Sequence, residues 1–190
     1  CWGIGLMPAG WAALFAAQAD DYADRFVDGA ADSVFAGFVP LACALAASDG
    51  DYAGELALIE QHVGALLAGA APPDPAVAAL THALLDPELV AVTQLAESMG
   101  MTIRSIKRLS RRAFGFPPKL LLRRQRFLRS LARFMLDPSL KWIGAMDSTY
   151  HDQAQFVRDF HEFMSMTPRE YAAMPHPILE KFIHERARVH

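Results

Sequence analysis

Beyond residue 10 the chain runs in Ala- and Leu-rich stretches whose apolar positions recur every three or four residues, separated by short polar, Pro or Gly breaks. That periodicity predicts helices over 11–19, 22–26, 33–47 and 52–68. Only 1–6 reads as a strand. The paired prolines of GAAPPD at 69–74 stop a helix and stiffen the connection, which marks a linker. After it the start signals sharpen. Asp74-Pro75 and Asp86-Pro87 each place a capping acceptor before a proline suited to the first helical position. Helices are predicted over 75–85, 88–99, 103–114, 118–136, 139–147, 153–164 and 168–173, with Gly100 and Gly115 closing the second and third. The expected fold is all-α. Residues 74–174 form a compact domain of about seven short helices, 1–73 a smaller and mostly helical part before it, and 175–190 a helical tail.

One pattern occurs twice in the second part. QLAESMGMT at 94–102 is a short helix, a glycine turn and a cap, followed by the helix at 103–114. KWIGAMD at 141–147, a turn at 148–150 and the helix after Asp152 repeat it. This is the helix-turn-helix arrangement, whose second helix can enter a major groove. Asp152 with Gln155, and TPRE at 167–170, have the spacing of capping boxes. These spacings alone specify helices, not DNA binding.

Periodicity also assigns faces. Ile106, Leu109 and Ala113 turn to the core, which puts Arg104, Lys107, Arg108 and Arg111 outside. In the later helix Phe156, Phe160 and Phe163 form the core stripe, leaving Gln153, Gln155, Arg158, Asp159, His161 and Glu162 exposed. Along 118–136, Leu121, Leu128, Leu131 and Met135 mark the core side. Arg123, Arg124, Arg126, Arg129 and Arg133 fall largely elsewhere, some expected to touch phosphate and others to pair with the acidic first part. At about 1.5 Å per residue this helix is roughly 28 Å long, near the ~34 Å turn of B-DNA.

Charge makes the picture directional. Residues 1–73 carry Arg25 against nine acidic residues, net −8, whereas 104–141 carry twelve basic residues against Asp137 alone, net +11. So one-sided a run points to a polyanionic partner rather than a solvated helix face. The segment 147–170 runs the other way, with two cations against five acids, net −3. Asp152 and Glu170 are expected to cap helices. Asp159 and Glu162 have no such role, so this part is expected to repel phosphate and be the weaker reader. The longest apolar run, 34–47, is too short to span a bilayer and contains Pro40. Cys1 and Cys43 match no metal or disulfide spacing, which suits a reducing cytoplasm. The pair His161-Glu162 lacks a zincin's second histidine, since Ser165 occupies that place. No phosphate-binding glycine loop or nucleophile elbow occurs, so neither an enzyme nor a cofactor is expected.

LAESMGMTIRSIKRL at 95–109, FGFPPK at 114–119, YHDQAQFVRDF at 150–160 and MTPREY at 166–171 resemble the AraC/XylS family of bacterial regulators, in the family's order and nearly its spacing. The resemblance implies a double helix-turn-helix, two units joined by a long helix, that reads successive major-groove segments of duplex DNA. It places Arg104, Lys107 and Arg108 where base-contacting side chains occur, and extends the candidate DNA contacts to Arg111, Lys119, Arg123, Gln153, Gln155 and Arg158. A second copy of the chain, joined through 1–73, and RNA polymerase are the further partners it suggests. Three departures fall in the second unit: Thr149 where a glycine is usual, a segment 142–149 one residue short, and Ser165 where a helix end usually has glycine. Residues 1–68 more weakly resemble the end of an amino-terminal regulatory domain, by GIGLMPAGW at 3–11 and YADRFVDG at 22–29. In such relatives a β-rich segment precedes this point, and the chain here opens on Cys1 rather than methionine. The competing class is a non-catalytic helical adaptor whose basic face binds an acidic protein.

Overall fold

The computed structural model describes residues 2–72, 74–176 and 183. Among them are ten α-helices and no strand: α1 Pro8–Leu14, α2 Val39–Ala46, α3 Tyr52–Ala68, α4 Pro75–Ala83, α5 Val92–Ser98, α6 Ile103–Phe114, α7 Pro118–Leu136, α8 Lys141–Ala145, α9 Gln153–Met164 and α10 Pro168–Ala172. Of the strand expected at 1–6, the described residues show none, since 2–7 have no regular structure. The helix expected over 22–26 is also absent. Residues 22–24 form a turn, and Asp24 takes a left-handed φ of 55° that a right-handed helix cannot contain. The tail at 175–190 lies almost wholly outside the described residues.

Packing divides the chain into two compact units, 1–83 with 96–118 and 84–95 with 119–190. In the first, α6 packs against α1, α4 and the 3-10 turn Ala19–Asp21. Val77, Leu80, Ile106, Leu109 and Ala113 are buried there. Between α1 and α2 the chain forms 3-10 turns at Ala19–Asp21 and Ser33–Phe38, the latter in place of the first part of the helix expected over 33–47. An aromatic group of Trp11, Phe15, Tyr22 and Phe35, with contacting ring centroids 4.7–6.2 Å apart, packs this region. Asp51 caps α3 by accepting from Ala53 N and Gly54 N.

The second unit is built on α7. Phe127, Leu131, Phe134, Met135, Ala145, Tyr150, Phe156, Phe160 and Tyr171 form its core. Leu128, expected inside, is 44% exposed, while Leu122, Phe127 and Phe134 are buried. Leu121, Leu131 and Met135 are buried as expected, so the stripe keeps three of its four predicted positions and widens through Leu122, Phe127 and Phe134. Trp142 stacks on Phe134 at 3.8 Å and donates from Nε1 to Pro168 O, tying α8 to α10.

Two helix starts differ from expectation for local reasons. The Asp86 carboxylate accepts from Glu88 N at 2.9 Å and closes a turn instead of capping a helix. Gln94 Oε1 then accepts from Val90 N and Ala91 N, so α5 begins at Val92. The helix expected over 139–147 is a 3-10 turn at Pro138–Leu140 followed by the short α8, whose first residue, Lys141, takes a left-handed φ of 51° where the two meet.

Candidate nucleic-acid interface

The helix-turn-helix at 92–114 is shaped by caps. Gly100, at φ 61°, makes the turn after α5, and Met101 N closes it on Ala96 O. Thr102 Oγ1 accepts from Ser105 N and starts α6. The far end of α6 stops at Gly115, with φ 78°. An ideal Cβ there would sit 3.0 Å from Ala19 O, so close backbone approach also requires glycine. With Ile106, Leu109 and Ala113 buried, Arg104, Lys107, Arg108 and Arg111 are all exposed at i, i+3, i+4 and i+7, one continuous stripe. Arg112 lies off it and pairs with Asp74 at 2.5 Å. α6 contains no acidic residue, so nothing on the helix itself neutralises the stripe.

The second unit repeats the motif with different electrostatics. Asp152 accepts from Gln155 N at 2.6 Å, the first half of the expected capping box, but Gln155 Oε1 accepts from His151 N, one residue before the cap, so the box is not reciprocal. Thr167 and Glu170 complete a reciprocal box on α10, whose hydrogen bonds hold the Glu170 carboxyl below its usual pKa. On α9, Gln153 and Arg158 are exposed and Gln155 is half-buried. Lys119 is exposed in the first turn of α7.

Asp159, expected on the surface, is 2% exposed. Its carboxylate accepts from Arg123 at 2.6 Å, Arg126 at 3.0 Å and the Tyr150 hydroxyl at 3.2 Å. Arg123 also grips Glu162 at 2.6 Å, and its guanidinium carbon stands 5.6 Å from the Phe163 ring centre. These carboxylates push the Arg123 pKa further up. Burial, then the negative charge of Asp159, raises the Tyr150 pKa. A second buried acid, Asp147, accepts from Arg129 Nε at 2.6 Å and from Thr149 N and Oγ1. Burial works against its ionisation, but the hydrogen bonds from Arg129 and Thr149 outweigh that and hold its pKa at about 2. Ser130 Oγ accepts from Asp147 N.

Of the nine candidate contacts, the structure thus groups Arg104, Lys107, Arg108 and Arg111 on α6, and leaves Lys119, Gln153 and Arg158 exposed in the second unit. Arg123 is engaged by two carboxylates, and Gln155 by its own helix start. Sequence reasoning missed the Asp159 and Asp147 clusters. The available signal was the position of Asp159, three residues after Phe156 and four before Phe163, inside the aromatic stripe.

No helix among the described residues is long and apolar enough to cross a membrane. No curated protein and no solved structure matches the chain. A helix-turn-helix domain family does match, over residues 95–174, the stretch that holds α6 through α10. Domains of this type belong to non-catalytic, DNA-binding regulators of transcription. The chain carries an AraC-type helix-turn-helix domain at residues 95–174, preceded by an amino-terminal segment.

Proposed function

We propose that the chain is a sequence-specific, cytoplasmic regulator of transcription whose two helix-turn-helix units contact successive major-groove segments of one duplex. The observation that carries this reading is the exposed stripe Arg104, Lys107, Arg108 and Arg111 on a helix whose other side is buried. Arginine and lysine can donate to guanine O6 and N7 in the major groove or bind the flanking phosphates. α9 presents Gln153 and Arg158, an amide suited to adenine and a guanidinium suited to guanine or phosphate. The acidic amino-terminal part is unsuited to the duplex. Its role in this reading is to join a second copy of the chain, with RNA polymerase as a further partner of the assembly.

Selection of bound sites from random duplexes tests the proposal. A defined consensus should emerge, and Arg104→Ala or Arg108→Ala should weaken binding to it by about 1–3 kcal/mol while relaxing preference at one position. Binding without base preference, unchanged in both variants, would return the chain to the adaptor class.

A further inference from the structure

Lys119, Arg123, Arg126 and Arg129 follow one another along α7 at spacings of four, three and three, so they share one side of the helix. Together with Thr149 and Gln155 they line a cavity of about 140 Å3 in the second unit. Asp159, Glu162 and Asp147 hold the three arginines, yet none of these acids lines the cavity. Four cations therefore meet three carboxylates, and one positive charge is left over. Lys119 has no ion-pair partner among the described residues. Arg126 Nε is buried with no acceptor among them. Because Gln155 Oε1 already accepts from His151 N, its amide N–H groups remain the available donors of that side chain.

We propose that this cavity is a binding site for a phosphate group. The arginines are fixed in advance by their ion pairs, so little side-chain entropy is lost when an anion arrives. Lysine and glutamine bring further donors, the arrangement that suits an acceptor-only, tetrahedral anion rather than a flat carboxylate. The inference rests on the duplex-binding reading for its first source, a backbone phosphate beside the second unit. A free phosphate or phosphomonoester has the same chemistry.

The test uses the full chain with two variants. Lys119→Gln removes the unpaired cation. Gln155→Glu retains the acceptor for His151 N and adds a negative charge to the lining. Replacing duplex phosphates one at a time by neutral methylphosphonate should reveal one position whose neutralisation weakens wild-type binding about tenfold and leaves the Lys119→Gln variant nearly unaffected. The same variant should lower the slope of log K against log salt by about one. If the source is a free anion, the methylphosphonate scan is flat. Inorganic phosphate, compared with chloride at equal ionic strength, then raises the unfolding temperature of wild type and not of Gln155→Glu. If neither the scan nor the phosphate titration separates the variants from wild type, the site does not exist. If wild type binds no duplex, the proposed function fails, and the phosphate titration alone decides the cavity.

Discussion

The two recognition helices handle charge in opposite ways. α6 has no acidic residue and presents four cations to solvent in one stripe. α9 has two acids and a single exposed arginine, and its acids are held by arginines of α7. Counting charges along the sequence makes 147–170 repellent to phosphate. In the structure Asp147 and Asp159 are buried against Arg129, Arg123 and Arg126, Glu162 is paired, and Asp152 and Glu170 serve helix starts. A charge belongs to the surface only when the fold leaves it there. The first helix owes its cationic face to composition. The second is neutralised from within, so its acids act as fasteners between α9 and α7.

The sharpest way to break this comparison is to remove a fastener. Asp159→Ala leaves Arg126, whose side chain is 13% exposed, without its counter-ion, and it frees Arg123 from its buried partner. Deleting one partner of a buried pair costs about 3–5 kcal/mol. Arg104→Ala and Arg108→Ala, on the exposed stripe, should change stability by no more than about 0.5 kcal/mol. Urea unfolding of the three variants measures both. Comparable midpoints for all three would show that α9 does not depend on its internal charges.

Acid should reach the second unit through Asp147. Its folded pKa of about 2 lies below the ordinary value of 3.8, so its contribution is fully present above about pH 4 and is lost as pH falls through 2. The difference corresponds to about 2 kcal/mol. Unfolding free energies between pH 5 and pH 2 should fall less steeply in Asp147→Asn than in wild type, whatever the variant's own stability. Parallel curves would remove Asp147 from the account. On the binding side the effect should be smaller. Arg158→Ala is expected to cost about 1 kcal/mol of duplex affinity, below either Arg104→Ala or Arg108→Ala, because α9 has one exposed arginine where α6 has a stripe. Equal losses in a titration series would make the two helices equal readers.

Much of this was legible in the sequence, and the rest fails for identifiable reasons. Helices with a cap at one end and a glycine at the other, such as α6 between Thr102 and Gly115, follow directly from their residues. The start of α5 does not, because Asp86 has two uses for its carboxylate and takes the turn. The α6 face is readable because apolar and charged positions never conflict along it. On α7 they do. Leucines at 120, 121, 122 and 128 permit several buried stripes, and tertiary packing selects the one through Phe127, Leu131 and Phe134. Asp159 is illegible to a rule that puts acids outside. Its spacing from Phe156 and Phe163 puts it inside, but only the arginines of another helix make burial tolerable.

The smallest effect concerns how each recognition helix ends. α6 closes on Gly115 at φ 78° and α9 on Ser165 at φ 56°, and both cap residues donate their backbone N–H four residues back, to Arg111 O and His161 O. The left-handed conformation crowds a Cβ against the neighbouring carbonyl and costs a non-glycine residue about 1 kcal/mol. At Gly115 the residue type removes that cost. At Ser165, an exposed position, the second unit retains it. Part of the gain on substitution is offset by the greater freedom of glycine in the unfolded chain. Ser165→Gly should therefore stabilise the second unit by about 0.5 kcal/mol, raising its denaturation midpoint slightly. Duplex binding should stay unchanged, since the α9 residues proposed to contact DNA, Gln153 and Arg158, lie in the first half of the helix. A lowered midpoint would mean that the serine side chain stabilises the turn by more than the strain costs. The difference between the two helix ends would then be an adaptation of the second unit and not a residual strain.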